Sequence, residues 1–201
     1  MAILYAMAAE AEYGSCLRSR ISPLYIGVGP VEAAIALTRA LSMAEAAGAL
    51  PELVVSLGSA GSRRLAQGDV YVASSVSYRD MDATALGFEL GVTPFLDLPP
   101  IIELPLTVPG VSTASLSTGA NVVSGGRYAS IEADMVDMET FAVVRACDSF
   151  GVPVIAVRGI SDGAEELHQY EDWTRYLHVV DERLANVVDR IEEAYKEGRL
   201  P

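Results

Sequence analysis

DMVDMETFAVVRACDSFGVPVIAVRGISDGAEE, residues 134–166, decides how the rest of the chain is read. Within it the apolar run VPVIAV has the composition of a buried strand and ends in Arg158-Gly159-Ile160-Ser161-Asp162-Gly163. Just upstream, DMVDM and Glu139 lead into TFAVVRAC, whose pattern suits a helix over 140–150. A carboxylate thus stands at the end of each of two apolar elements, where burying a charge is costly unless something pairs with it.

The same alternation runs outward in both directions. Strands are expected at 2–7 (AILYAM), 24–29 (LYIGVG), 52–58 (ELVVSLG) and 69–78 (DVYVASSVSY), with one or two more in 106–119. Helices are expected from Val31 to about Ala47, with apolar Val31, Ile35, Leu37, Leu41 and Met43, and over 172–197. Strands apolar on both faces and separated by helices predict an α/β fold: a single domain over 1–201 with a central mixed β-sheet between helical layers. The prolines from Pro94 to Pro109 read as a surface excursion of that domain.

Composition narrows the function. With 201 residues, 51% hydrophobic and 20% charged, the chain can bury one substantial core. A net charge of −13 argues against nucleic acid and anionic lipid as partners. No apolar run approaches a membrane span, and MAILYAMAAEAEY lacks a basic start and meets Glu10 and Glu12 at once, so the cytoplasm is the expected compartment. Cys16 and Cys147 make neither a metal spacing nor a disulfide framework.

Ligands in open α/β sheets sit beyond the carboxyl ends of the strands. Glu10 follows the first strand, Gly27–Pro30 the second, Gly58-Ser59-Ala60-Gly61 the third, Gly119-Ala120-Asn121 another, and Asp162 the last. Each also has a plainer reading. GVGP and GSAGS serve as tight turns and are neither a P-loop nor a dinucleotide fingerprint. Glu139 suits a helix N-terminus, and Asp162 suits a turn or an N-cap. One of Glu10 and Glu12 reads as a surface acid; His168 and His178 read as surface residues, and Cys147 as core. Residue types and spacing alone lead to an α/β enzyme with a carboxylate-lined pocket and no metal.

The motifs in order carry further. AMAAEAE, GVGPVEAA, VVSLGSAGSRRLAQGDVYVAS, DMDATALGFELGVTPF, VDMETFAVVRAC and VPVIAVRGISD together resemble the nucleoside phosphorylase/hydrolase superfamily, most closely its methylthioadenosine/S-adenosylhomocysteine nucleosidase branch. The resemblance spans nearly the whole chain. It implies cleavage of the N-glycosidic bond of a purine nucleoside through an oxocarbenium-like sugar. By family position Asp162 is the acid that protonates the base, with Ser59 placed to hydrogen-bond and orient it and Ser161 among the substrate-binding residues, and Glu10, preferred over Glu12, activates water. Glu139 and Met138 hold the ribose, the Val122 backbone holds the base, and Gly58 and Arg158, the latter supporting the carboxylates from beside the strand, complete the expected substrate-binding set. No cofactor or metal is implied, and a homodimer is.

Phosphorylases of the superfamily carry arginines before the GS turn and near the first glycine loop. Val55-Ser56 and Pro30-Val31 stand there instead, so water is the expected nucleophile. Val122 or Val123 replaces the aromatic residue that stacks on the purine in such nucleosidases, and the segments 12–24 and 124–134 are short. Another purine nucleoside, a futalosine-like or adenosyl-lipid substrate, a phosphorylase, or an inactive ligand-binding relative are the alternatives.

Overall fold

The computed structural model describes residues 3–163 and 165–201. In chain order it forms β1 (Ile3–Met7), α1 (Ser15–Arg18), β2 (Leu24–Tyr25), α2 (Pro30–Ala46), β3 (Leu53–Gly61) and β4 (Val70–Tyr78). Then follow β5 (Ile101–Glu103), β6 (Thr113–Thr118), β7 (Met135–Asp137), α3 (Thr140–Asp148), β8 (Val154–Asp162), α4 (Tyr170–Thr174) and α5 (Leu177–Lys196).

The centre is the parallel pair β3 and β8, in register from Val54↔Val154 to Ala60↔Ile160. On the far side of β3 lie β1 and then β2, both parallel. β8 also pairs antiparallel with β4, β4 parallel with β6, β6 parallel with β7, and β7 returns antiparallel to β3 through Gly61↔Val136. Five strands thereby close a ring, with β1 and β2 extending from β3 and β5 pairing antiparallel on β4.

Side chains alternate across β3. Leu53, Val55 and Leu57, with Ile155 and Val157 of β8, pack on Val180, Leu184, Val187, Val188 and Ile191 of α5. Val54 faces the other way, onto Ala33, Leu37 and Leu41 of α2 and Val143 and Cys147 of α3. Helices therefore cover both faces of the central strands. Each such buried aliphatic side chain contributes about 1.5–3 kcal/mol, and together they fix the rim on which the carboxylates stand.

Four expectations shift. Ala2, expected to open β1, lies outside the described residues, and β2 ends at Tyr25 because Gly27 (φ +77°) and Gly29 (φ +93°) turn the chain into α2. Residues 106–112 are not strand; the excursion supplies β5 instead. β8 runs four residues beyond Arg158, to Asp162, because β3 pairs with it that far. The final helix is two, broken at Arg175-Tyr176. On α2, Leu37 and Leu41 are core, whereas Val31, Ile35 and Met43 are exposed.

Candidate active site

A cleft of about 510 Å³ opens where β1, β3, β7 and β8 end. Glu12, Glu139 and Asp162 line it together with Asp137, Met138, Val28, Ser59, Arg79, Val122, His168, Gln169, Tyr170 and Trp173. Glu12, Glu139 and Asp162 are each less than a tenth exposed. The carboxylates of 134–166 do meet, and a third joins them from the start of the chain.

That third is Glu12, not Glu10. The chain leaves β1 in a single 3₁₀ turn, Glu10–Glu12, where side chains two residues apart point about 120° from one another. One acid must face out. It is Glu10, whose exposed carboxylate pairs with Arg18 at 3.1 Å on the outside of the molecule. Glu12 turns inward: its Oε1 accepts Ser59 N–H at 2.6 Å and Ser59 Oγ–H at 2.7 Å, while its buried Oε2 has no partner among the described residues. Burial raises its pKa, with the Ser59 donors and the Arg158 charge pulling the other way. Gly58 does not reach the cleft; it backs Glu12, whose Oε1 would lie 3.2 Å from any Cβ there.

Asp162 owes its direction to an irregularity of the sheet. Ala60 pairs with Ile160 but Gly61 pairs with Asp162, so Ser161 is an extra residue, a bulge of the kind that re-aims a side chain. Gly163 follows at φ +111°, and a Cβ there would lie 2.4 Å from the Ser62 carbonyl oxygen, so only glycine can end the strand at this acid. Burial raises the Asp162 pKa, opposed by the Ser161 hydroxyl, which donates to Oδ1 at 2.6 Å. Ser161 therefore takes the orienting place expected of Ser59, because Ser59 is engaged by Glu12 and by Trp173.

Glu139 is the N-cap of α3, yet its side chain does not cap the helix. Asp137 does so instead, accepting Thr140 N–H at 2.9 Å. This frees Glu139 to cross the cleft and accept Gly29 N–H at 2.9 Å, which the left-handed Gly29 presents. Burial, reinforced by the neighbouring Asp137 charge, pushes its pKa up to about 7.

Arg158 lies beneath the cleft and does not line it, contrary to the binding place expected for it. It is 2% exposed; Nε and Nη2 donate to Asp137 Oδ2 at 3.1 and 3.0 Å, Nη2 to Ser56 Oγ and Thr140 Oγ1, and Nη1 to Ser56 O and Val157 O. This buried cation is thus paired with Asp137. The other basic groups divide: Arg79 borders the cleft, donating to the carbonyls of Ser117, Asn121 and Asp137, while Arg63 and Arg64 turn to Gly125 O and to Asp134 outside it.

Met138 and Val122 line the cleft, and His168, exposed in keeping with its reading as a surface residue, stands at its edge. The sequence reading missed Asp137, Arg79, Tyr128 and α4. Tyr128 Oη is buried without a partner among the described residues, against the place a Gly61 Cβ would take, with Asp162 Oδ2 2.9 Å from that same point. α4 brings Tyr170 and Trp173, edge to face at 5.3 Å, so aromatic surface enters the cleft that Val122 also lines from an element read as plain helix. The signal was available: Trp173 is the one tryptophan of the chain. Among the described residues no cluster of three or more His, Cys, Asp or Glu side chains is arranged to hold a metal.

A family model described as the phosphorylase superfamily matches residues 9–193. A 5'-methylthioadenosine/S-adenosylhomocysteine nucleosidase of Haemophilus influenzae is 32% identical over 160 residues, covering 71% of this chain and 68% of the relative. The enzyme of the same name from Halalkalibacterium halodurans is 27% identical over 202 residues, covering 90% and 84%. Among solved structures, a futalosine hydrolase mutant of Helicobacter pylori superposes with a TM-score of 0.78 at 21% identity, covering 96% of this chain and 99% of that one. A 5'-methylthioadenosine/S-adenosyl homocysteine nucleosidase of the same organism, complexed with a pyrrolo-pyrimidinyl pyrrolidinol, superposes at 0.77 and 22%, covering 96% and 98%. Shared fold, ordered motifs and family match agree: the chain belongs to the phosphorylase superfamily.

Proposed function

We propose that the protein is a purine nucleosidase that hydrolyses the N-glycosidic bond of a 5'-substituted adenosine such as methylthioadenosine or S-adenosylhomocysteine. The observation that carries the reading is the meeting of Glu12, Glu139 and Asp162, all buried, in one cleft. Bond cleavage develops positive charge on the sugar and negative charge on the departing base. Asp162, its pKa raised, carries the proton to the purine; Ser161 keeps it oriented. Glu12 takes a proton from the attacking water through Oε2, the oxygen the protein leaves unpartnered. Glu139 accepts a ribose hydroxyl, Met138 packs on the sugar, and the Val122 backbone meets the base. The sugar cation gains further stabilisation from the surrounding carboxylates.

Hydrolysis is favoured over phosphorolysis by charge. A phosphate dianion entering this cleft would meet the carboxylates, with Arg79 already engaged by carbonyl oxygens and Arg158 by Asp137. The relatives named above as nucleosidases support the same choice. A homodimer belongs to the proposal, supported by exposed Val31, Ile35 and Met43 on α2 and by Leu86, Leu90 and Phe95 in the segment after β4. A second reading, futalosine as substrate, is favoured by the futalosine hydrolase superposition and by valine at 122.

The test is base release from methylthioadenosine, S-adenosylhomocysteine, adenosine, inosine and futalosine, with and without phosphate. Free adenine without phosphate supports the proposal. A phosphate requirement with sugar 1-phosphate as product overturns it, and hypoxanthine from futalosine alone moves the substrate to the second reading.

A further inference from the structure

The hydrogen-bond chain beneath the water site does not end at Ser59. Trp173 Nε1 donates to Ser59 Oγ at 3.0 Å, and Ser59 Oγ donates to Glu12 Oε1 at 2.7 Å. An indole N–H can only donate, whereas a hydroxyl has one proton and two acceptor lone pairs. With Glu12 ionised its Oε1 can only accept, so the Ser59 proton points to it, and the indole N–H occupies a lone pair of the same hydroxyl and holds it in that orientation. Two donors then fix Oε1, the second being Ser59 N–H at 2.6 Å, and Oε2 stays buried and unclaimed.

We propose that Trp173 is a positioning residue for Glu12, its indole N–H setting the Ser59 hydroxyl so that Glu12 Oε2 is the oxygen that faces the attacking water. The proposal rests on the nucleosidase reading above and deepens it. α4, which carries Trp173, is anchored by a reciprocal capping box between Gln169 and Asp172, and Tyr170 packs edge-on against the indole ring. The general base is thus aligned by an element that also walls the cleft. A tryptophan acting only as apolar wall would need its ring and not its N–H. The two roles separate by experiment.

Trp173→Phe keeps a ring and removes the donor. Its kcat for base release is expected to fall about tenfold, the worth of one buried hydrogen bond, with KM within about twofold. In a Ser59→Ala background the same substitution is expected to leave kcat unchanged, because the relay is already cut. An equal kcat loss in both backgrounds, or an effect on KM alone, overturns the proposal.

A second arm needs no turnover. Trp173 is the sole tryptophan, so emission of the full-length protein excited at the red edge of the absorption band, where its nine tyrosines do not absorb, reports on this indole alone. Emission is expected to titrate with Glu12, and the transition to vanish in Glu12→Gln and in Ser59→Ala. Arg158 from β8 and Glu139 from the start of α3 also act on Glu12, so the transition should survive, displaced, in Glu139→Gln. A transition retained in Glu12→Gln overturns the link. If no nucleoside is cleaved yet emission follows Glu12, the nucleosidase reading falls and the link stands; turnover without Glu12-dependent emission is the reverse.

Discussion

Glu139 makes the energetics of the cleft measurable through Glu139→Gln. In the folded chain its pKa is pushed from 4.5 up to about 7, by burial first and by Asp137 second. A carboxyl whose folded pKa exceeds its unfolded value binds its proton more readily when folded, so stability falls as pH rises through that interval. At about 1.4 kcal/mol per pH unit, the span from 4.5 to about 7 corresponds to about 3 kcal/mol. The contribution is fully present below pH 4.5 and gone above about 7. Glutamine keeps an oxygen for the Gly29 N–H but cannot ionise. Urea unfolding of both proteins from pH 4 to 8 should therefore give a stability difference, wild type minus variant, that declines by about 3 kcal/mol and then levels off. Glu12 and Asp162, whose pKa values are also raised, remain in both proteins, and because Glu12 and Glu139 act on one another, repeating the comparison in a Glu12→Gln background isolates Glu139. A difference flat across the range, or rising with pH, would refute the assignment of burial as the dominant force on this carboxylate.

Arg158→Met should cost ~3–5 kcal/mol, the usual result of leaving one charge of a buried pair alone, and adding Asp137→Asn should restore part of it; urea melts of both variants check this, and a double variant no more stable than the single contradicts it. Glu12→Gln should lower kcat by about 10²–10⁴-fold, whereas Glu10→Gln should leave it within about twofold because an exposed pair contributes little; equal losses would return the base to Glu10. Gly163→Ala should destabilise by about 1–3 kcal/mol, since its φ of +111° and the nearby Ser62 carbonyl leave no room for a Cβ, and should lower kcat by moving Asp162. An unchanged melting temperature would show that the strand end is less constrained than its geometry implies.

What could be read from the sequence follows from which forces are local. The central strands were legible because apolar runs such as VVSL and VPVIAV are composition signals, and Glu139 and Asp162 because they border those runs. Glu10 and Glu12 were not separable by spacing: a tight 3₁₀ turn decides which faces inward, and motif alignment pointed to the wrong one. Ser59 and Ser161 exchanged partners because the bulge opposite Ala60-Gly61 is a tertiary feature without a residue signature. Arg158 was placed beside the carboxylates but assigned to ligand, since the buried Asp137 that claims it lies 21 residues away in sequence. Trp173 was hidden inside an apparently continuous helix, whose break at Arg175-Tyr176 is marked by neither glycine nor proline.

The central claim is that water, activated at Glu12 and answered by a proton from Asp162, cleaves the glycosidic bond. The most direct measurement is turnover of methylthioadenosine in ¹⁸O-water with phosphate present, by wild type, Glu12→Gln and Asp162→Asn. The account predicts free adenine and a sugar labelled at its anomeric oxygen from wild type, and loss of both in either variant. Unlabelled sugar 1-phosphate, or full activity retained by either variant, would contradict it.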